Sequence, residues 1–315
     1  MNRSCDEPPD YFASADFLAL AMRVTKPFSI PVHFLAFYFI LFKTPEKMKS
    51  AKWYLLSLQI WIVLFDISYS FLTIPFLLIP KFAGFPLGAL QYSGIPTMYQ
   101  TLAVLLSVSG VYVGMVALYE NRFNSICNFP LKVYWGKVRA SWLAFYYLAA
   151  ALASLSLGLL VPEQETARNT TLPCLPDYIY NAPIFVLADN LTYPLLIIVV
   201  FVWTACIKIT IFAGFLIYNT VQQLRKKLTS RRTFIMHKKC FIALVIQIEV
   251  PLVTFIFPFA YIILSVLKDH YNQSFINLAT ATVSTHGMVS SAVLLLVYHP
   301  YRVAASNLFT NIFCY

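Results

Sequence analysis

Charged side chains make up only 11% of this chain of 315 residues, while hydrophobic ones make up 59%. Water-soluble domains carry about a quarter charged residues and about half apolar ones. The deficit excludes an ordinary soluble domain and points to a chain that crosses a lipid bilayer several times, in keeping with a mean hydropathy of +0.70. Other absences narrow the function. There is no HExxH pattern or comparable cluster of metal ligands, which weighs against a metal-dependent membrane enzyme, and no cofactor or metal site is expected. The last apolar run has no lysine between Asn277 and His299, which excludes the buried lysine that a retinal protein needs. No internal repeat or pair of broken apolar segments is visible, which weighs against a transporter. The opening stretch MNRSCDEPPDYFASADF lacks a basic region followed by a short apolar one, so the first apolar run is expected to act as its own insertion signal.

What the chain does contain is long apolar runs. A spanning helix needs roughly 20 mostly apolar residues. Seven runs qualify, at about 17–42, 53–80, 98–119, 139–161, 190–218, 241–267 and 277–299. The fold expected is all-α, a polytopic membrane protein with a seven-transmembrane helix bundle in a single domain over 1–315. Arg23 and Lys26 interrupt the first run and are expected to snorkel to the interface. The net charge of +10 is carried by short loops, so it reads as topology and not as nucleic-acid binding. The loops after the first, third and fifth runs hold fifteen Lys and Arg, the opposite loops three. The positive-inside rule then places the N-terminus outside and the C-terminus inside. The glycosylation sequons at Asn2, Asn169, Asn190 and Asn272 all fall on the predicted outer side, with Asn169 in the longest outer loop the expected acceptor.

Of six cysteines, only Cys5 and Cys174 fall on the outer side, where a disulfide is permitted. No cysteine lies near Met98 to tether the second outer loop to the third helix. The expectation is a Cys5–Cys174 bond, the alternative being two free thiols.

A charge at membrane depth costs about 2.5–3.5 kcal/mol on insertion scales, so each one needs a reason. Asp66 in the second run and His286 in the seventh lie at matching depth, roughly 20 Å from the cytoplasmic end at about 1.5 Å per residue. They read either as a polar hinge between the two helices or as two separately satisfied side chains. Lys208 and Glu249 match at roughly 12–15 Å and read as an ion pair between helices five and six, or as a snorkelling lysine and a neutral glutamate. Pro251 and Pro258 kink the sixth run. Gly110 and Gly114 form a GxxxG that lets another helix approach. Past Arg302 thirteen residues remain, expected to lie as an amphipathic helix with Val303, Leu308, Phe309 and Phe313 towards lipid.

Several motifs share a pattern. Lys43-Thr44-Pro45, Met48 and Lys52-Trp53 lead into Leu55-Leu56, Trp61, Asp66, Ser70, Pro75 and Pro80, then Ala83-Gly84-Phe85-Pro86-Leu87-Gly88. With Glu120-Asn121-Arg122, Pro173-Cys174, His286-Gly287 and His299-Pro300-Tyr301-Arg302, the chain resembles the nematode serpentine chemoreceptors along its whole length. Class H is the most similar and class I the next. The resemblance implies a chemosensory G-protein-coupled receptor of sensory neurons, in the plasma membrane of their cilia, that binds an unidentified small molecule from outside and activates a heterotrimeric G protein. It implies no enzyme. Glu120 would restrain Arg122 at the G-protein face, which would also include Arg225, Lys226 and Lys227. Ligand-lining residues expected at outer depth are Tyr99, Gln100, Tyr193, Phe257, Tyr261 and Asn277, which read equally as interfacial anchors. The rival class is a small-solute or proton-coupled transporter relaying protons through Asp66, Lys208, Glu249 and His286.

Overall fold

The computed structural model describes residues 10–127, 129–171, 182–190, 192–225, 252–268 and 270–313, with isolated positions between 235 and 250. Among the described residues, six helices are long and apolar enough to cross a membrane, and a shorter apolar one covers Val253–Leu267. Together they form a seven-helix membrane bundle. Exposed aliphatic and aromatic side chains such as Phe28, Phe34, Trp203 and Phe215 coat its flanks, as lipid contact requires.

The first span, Ala15–Phe42, starts at Ser14, whose hydroxyl accepts the Phe17 amide at 3.1 Å and so caps an otherwise unpaired donor. Pro27 and Pro31 lie inside it. The second span runs Lys49–Ile67 and continues as a π-helical stretch, Ser68–Thr73. Ile74, at φ 42, ends it. The apolar run then becomes strand β1, Pro75–Leu78, instead of helix out to residue 80 as the sequence suggested. Pro75 and Pro80 cannot supply helical N–H donors, and a short apolar run reads equally as strand or helix. β1 pairs antiparallel with β2, Ala83–Pro86, and β2 with β3, Phe185–Val186. This small sheet caps the end of the bundle that carries the N-terminus, here the N-terminal face. Gly84 is required in it, because a Cβ there would lie 2.3 Å from the Phe76 carbonyl oxygen.

The third span, Thr97–Ile126, is the most buried and packs against the second, fourth and fifth. Gly110 and Gly114 face the second span: a Cβ on Gly110 would enter the Trp61 ring, and one on Gly114 would lie 3.2 Å from Leu58. The fourth span is Lys132–Ser156 and the fifth Thr192–Arg225. A short helix, Gln164–Thr171, is tied to β3 through Gln164 and to the preceding Ile184 carbonyl through Arg168. The sixth span comprises a π-helical stretch, Leu252–Ile256, and the helix Phe257–Leu267. The seventh is two helices, Gln273–Ser284 and His286–Val297, joined at Thr285. A tail helix, His299–Phe313, follows. Its Tyr301 hydroxyl sits 2.8 Å from that of Thr44, and burial raises its pKa.

Candidate functional site

Polar side chains in the bundle interior gather where the first, second and seventh spans meet. Lys26, Ser29 and His33 are spaced three and four residues apart, so they share one face of the first span. Gln59, Asp66 and Ser70 do the same on the second, and Gly287 and Ser291 on the seventh. Asp66 is the centre. Its Oδ1 accepts from the Lys26 ammonium at 2.8 Å and the Ser70 hydroxyl at 2.9 Å. Its Oδ2 lies 3.2 Å from His33 Nε2 and accepts from Ser29 at 3.3 Å. His33 Nδ1 faces the Gln59 amide nitrogen at 3.3 Å and the Ser291 hydroxyl at 2.9 Å, so it acts as acceptor and Nε2–H donates to Asp66. Lysine and aspartate neutralise each other, and a carboxylate with both oxygens occupied is tolerable away from water.

Gly287 closes the cluster. A Cβ on it would stand 2.9 Å from Asp66 Cβ and 3.3 Å from His33 Cε1, so only glycine lets the seventh span come this close. Next to it, His286 is fully buried and turns the other way. Thr254 gives its own proton to the Val250 carbonyl, so its oxygen accepts from His286 Nδ1 at 3.0 Å. His286 Nε2 has no hydrogen-bond partner among the described residues. The ring packs against Phe255, with centroids 4.6 Å apart, and Phe65, at 6.2 Å. Asp66 and His286 therefore meet through the Gly287 backbone, and the hydrogen bonds of Asp66 go to the first span and Ser70.

Phe65 and Phe255 are also walls of a cavity of about 370 Å³ beneath the β-sheet cap. Its other sides come from Tyr69 and Thr73, from Val104, Val108 and Tyr112 of the third span, and from Phe201 of the fifth. None of the six side chains expected to line a ligand site is among them. Tyr99, Tyr193 and Phe257 face outward, each more than half exposed. Gln100 donates to the Ile95 carbonyl at 2.9 Å. Tyr261 packs against Phe275 with the two rings tilted, centroids 5.8 Å apart. Asn277 holds the N-terminal segment through the Phe12 and Ser14 carbonyls, at 2.9 and 3.1 Å. Polarity and depth single out those six residues, whereas the cavity is walled by aromatic and aliphatic groups.

At the opposite, C-terminal face, Glu120 is buried. It accepts from Trp135 Nε1 at 2.8 Å and from Arg139 at 2.7 Å, both on the fourth span. Arg139 also donates to the Tyr54 hydroxyl at 2.8 Å. The carboxylate thus binds Arg139, not Arg122. Arg122 is buried too, and its Nε and Nη2 have no hydrogen-bond partner among the described residues. Nearby Cys127 is a buried free thiol whose pKa is pushed up to about 11 by burial, so it stays protonated. Lys208 places its ammonium 3.8 Å from the centre of the Tyr146 ring, a cation–π contact with the fourth span. Glu249, Lys226, Lys227, Cys5 and Cys174 lie outside the described residues. Arg225 ends the fifth span and Asn169 lies within the short helix.

Sequence reasoning missed His33 and misassigned Lys26, which turns inward. The signal was present: the spacing of 26, 29 and 33 draws a polar stripe along an apolar helix. Comparison with known proteins gives a consistent picture. The family model described as serpentine type 7TM GPCR chemoreceptor Srh matches residues 13–311. The chain is 27% identical over 313 residues to "Serpentine receptor class H-72" of Caenorhabditis elegans, covering 98% of this chain and 90% of that one. Squid rhodopsin superposes with a TM-score of 0.63 at 11% identity, over 98% of this chain and 88% of the other, a likeness of fold alone.

Proposed function

The chain belongs to the serpentine type seven-transmembrane chemoreceptor family, and from that membership we propose that it takes a small-molecule ligand in the apolar cavity and activates a heterotrimeric G protein at the C-terminal face. The excess of Lys and Arg in alternate loops supports an orientation with the cavity outside and Arg122, Arg225, Lys226 and Lys227 inside. The same reading includes the plasma membrane of sensory cilia, a Cys5–Cys174 bond and a glycan on Asn169.

One observation carries the proposal: Phe65 and Phe255 both wall the cavity and pack on His286. Each phenylalanine neighbours a polar anchor in sequence, Asp66 and Thr254. A ligand that moves either ring therefore bears on the contact between the sixth and seventh spans. Asp66 lies just before one π-helical stretch, Ser68–Thr73, and Thr254 lies within another, Leu252–Ile256, where the backbone departs from regular α-helix. A buried nitrogen without a partner is costly and asks for an explanation. His286 Nε2 would find one in a rearranged bundle, making Asp66, Gly287 and His286 a hinge. A ligand shifts such an equilibrium only through its different affinity for the two arrangements.

Expression with a G-protein reporter and a panel of small molecules tests this. Ligand-dependent nucleotide exchange supports the proposal. Binding without exchange at any tested G protein would sink it.

A further inference from the structure

The cavity also limits what its ligand can be, an inference that rests on reading it as the ligand site. Among its described lining residues there is no Asp, Glu, Lys, Arg, His, Asn or Gln. Most of the hydroxyls present are already used. Tyr69 donates to the Thr280 carbonyl and Thr101 to the Thr97 carbonyl, while Ser109 and Ser154 bond each other and their own helices. Tyr112, Thr73 and Thr97 are left with hydroxyls that make no hydrogen bond to another described residue, the Tyr112 hydroxyl having the Cys206 thiol as its electrostatic neighbour.

Neighbouring ionic groups are already engaged: Lys208 lines an adjoining pocket that shares Ala153, Ile197 and Phe201 with the cavity, and its ammonium sits 3.8 Å from the centre of the Tyr146 ring. Both oxygens of Asp66 are occupied, and Lys26 is held by Asp66 and Ser70. His286 lies against Phe65 and Phe255, is not itself a lining residue and donates its Nδ1 proton to Thr254. An ionised ligand would enter an aromatic box without a partner for its charge, and desolvation opposes that. We infer that the ligand is an uncharged, mainly hydrocarbon molecule with a hydrogen-bonding oxygen, such as a medium-chain alcohol, ketone or ester. The rings of Phe65, Tyr69, Phe201 and Phe255 recognise its body, and the Tyr112 hydroxyl recognises its oxygen. A volume of about 370 Å³ falls in the range of small-molecule pockets.

The test uses the full-length receptor in lipid nanodiscs and reads ligand-induced thermal shift, which does not depend on G-protein coupling. Medium-chain alcohols and ketones are compared with the carboxylates and ammonium ions of equal chain length, and with the parent alkanes. The neutral oxygenated compounds should bind at least about a hundredfold more tightly than the ionised ones. Tyr112→Phe should weaken them about tenfold and leave the alkanes unchanged. Val108→Phe, or Val104→Phe one turn earlier, should fill the cavity and remove the shift while the unliganded receptor still melts cooperatively. Tighter binding of a carboxylate or ammonium series, sensitive to Val108→Phe, would overturn the ligand class and leave the cavity as the site. Shifts that survive both filling variants, or no shift from any neutral compound up to its solubility, would overturn the inference together with the site.

Discussion

The Lys26 ammonium lies 2.8 Å from the Asp66 carboxylate, joining the first span to the second inside the bundle. Both side chains are largely removed from solvent, at 15% and 4% exposure. Removing either member strands the other's charge, which costs about 3–5 kcal/mol in buried pairs, whereas replacing both by apolar groups is far less harmful. Lys26→Met and Asp66→Leu should each lower the melting temperature and surface delivery sharply. The double variant should recover part of the loss, giving a coupling energy above about 1 kcal/mol in a double-mutant cycle. Additive losses would show that the two residues act separately.

Glycines divide by what surrounds them. Gly287→Ala should destabilise the receptor by about 1–3 kcal/mol through overpacking against Asp66. A methyl group on Gly136, in the fourth span, would meet nothing within 4 Å, so Gly136→Ala should be neutral or stabilise by about 0.5–1 kcal/mol. Thermal melts of the two variants side by side check the contrast.

The seven spans were legible because long, mostly apolar runs leave few alternatives in a membrane. The end of the second was not, since FLTIPFLLIP satisfies a helix and a buried strand equally until β2 is there to pair with it. Lys26 was placed at the interface because its depth can be counted along one helix, while the direction of its side chain depends on Asp66 in the next. The site divides the same way. Asp66 and His286 stood out as polar groups in apolar runs. The cavity did not, because Phe65, Val108 and Phe255 look like any other membrane residues until the fold brings them together.

At the C-terminal face, Glu120 binds Arg139 and Trp135 across to the fourth span. Glu120→Gln and Arg139→Ala should therefore have the same effect, raised ligand-independent nucleotide exchange, and the double variant should not exceed either one. Exchange assays on membranes expressing each variant decide it. An effect of Glu120→Gln that persists undiminished in the Arg139→Ala background would place the restraint elsewhere.

The proposed coupling of the seventh span to the sixth rests on one hydrogen bond, His286 Nδ1 to Thr254 Oγ1 at 3.0 Å. The direct measurement is ligand affinity and maximal ligand-stimulated exchange, taken together in His286→Leu, Thr254→Val and the double variant, with an activating neutral compound. Neither residue lines the cavity, so affinity should stay within about fivefold, in the range of a modest coupling energy. Maximal exchange should fall about tenfold in each single variant and no further in the double, as for two residues acting as a unit. Full exchange in His286→Leu at unchanged affinity would contradict the coupling.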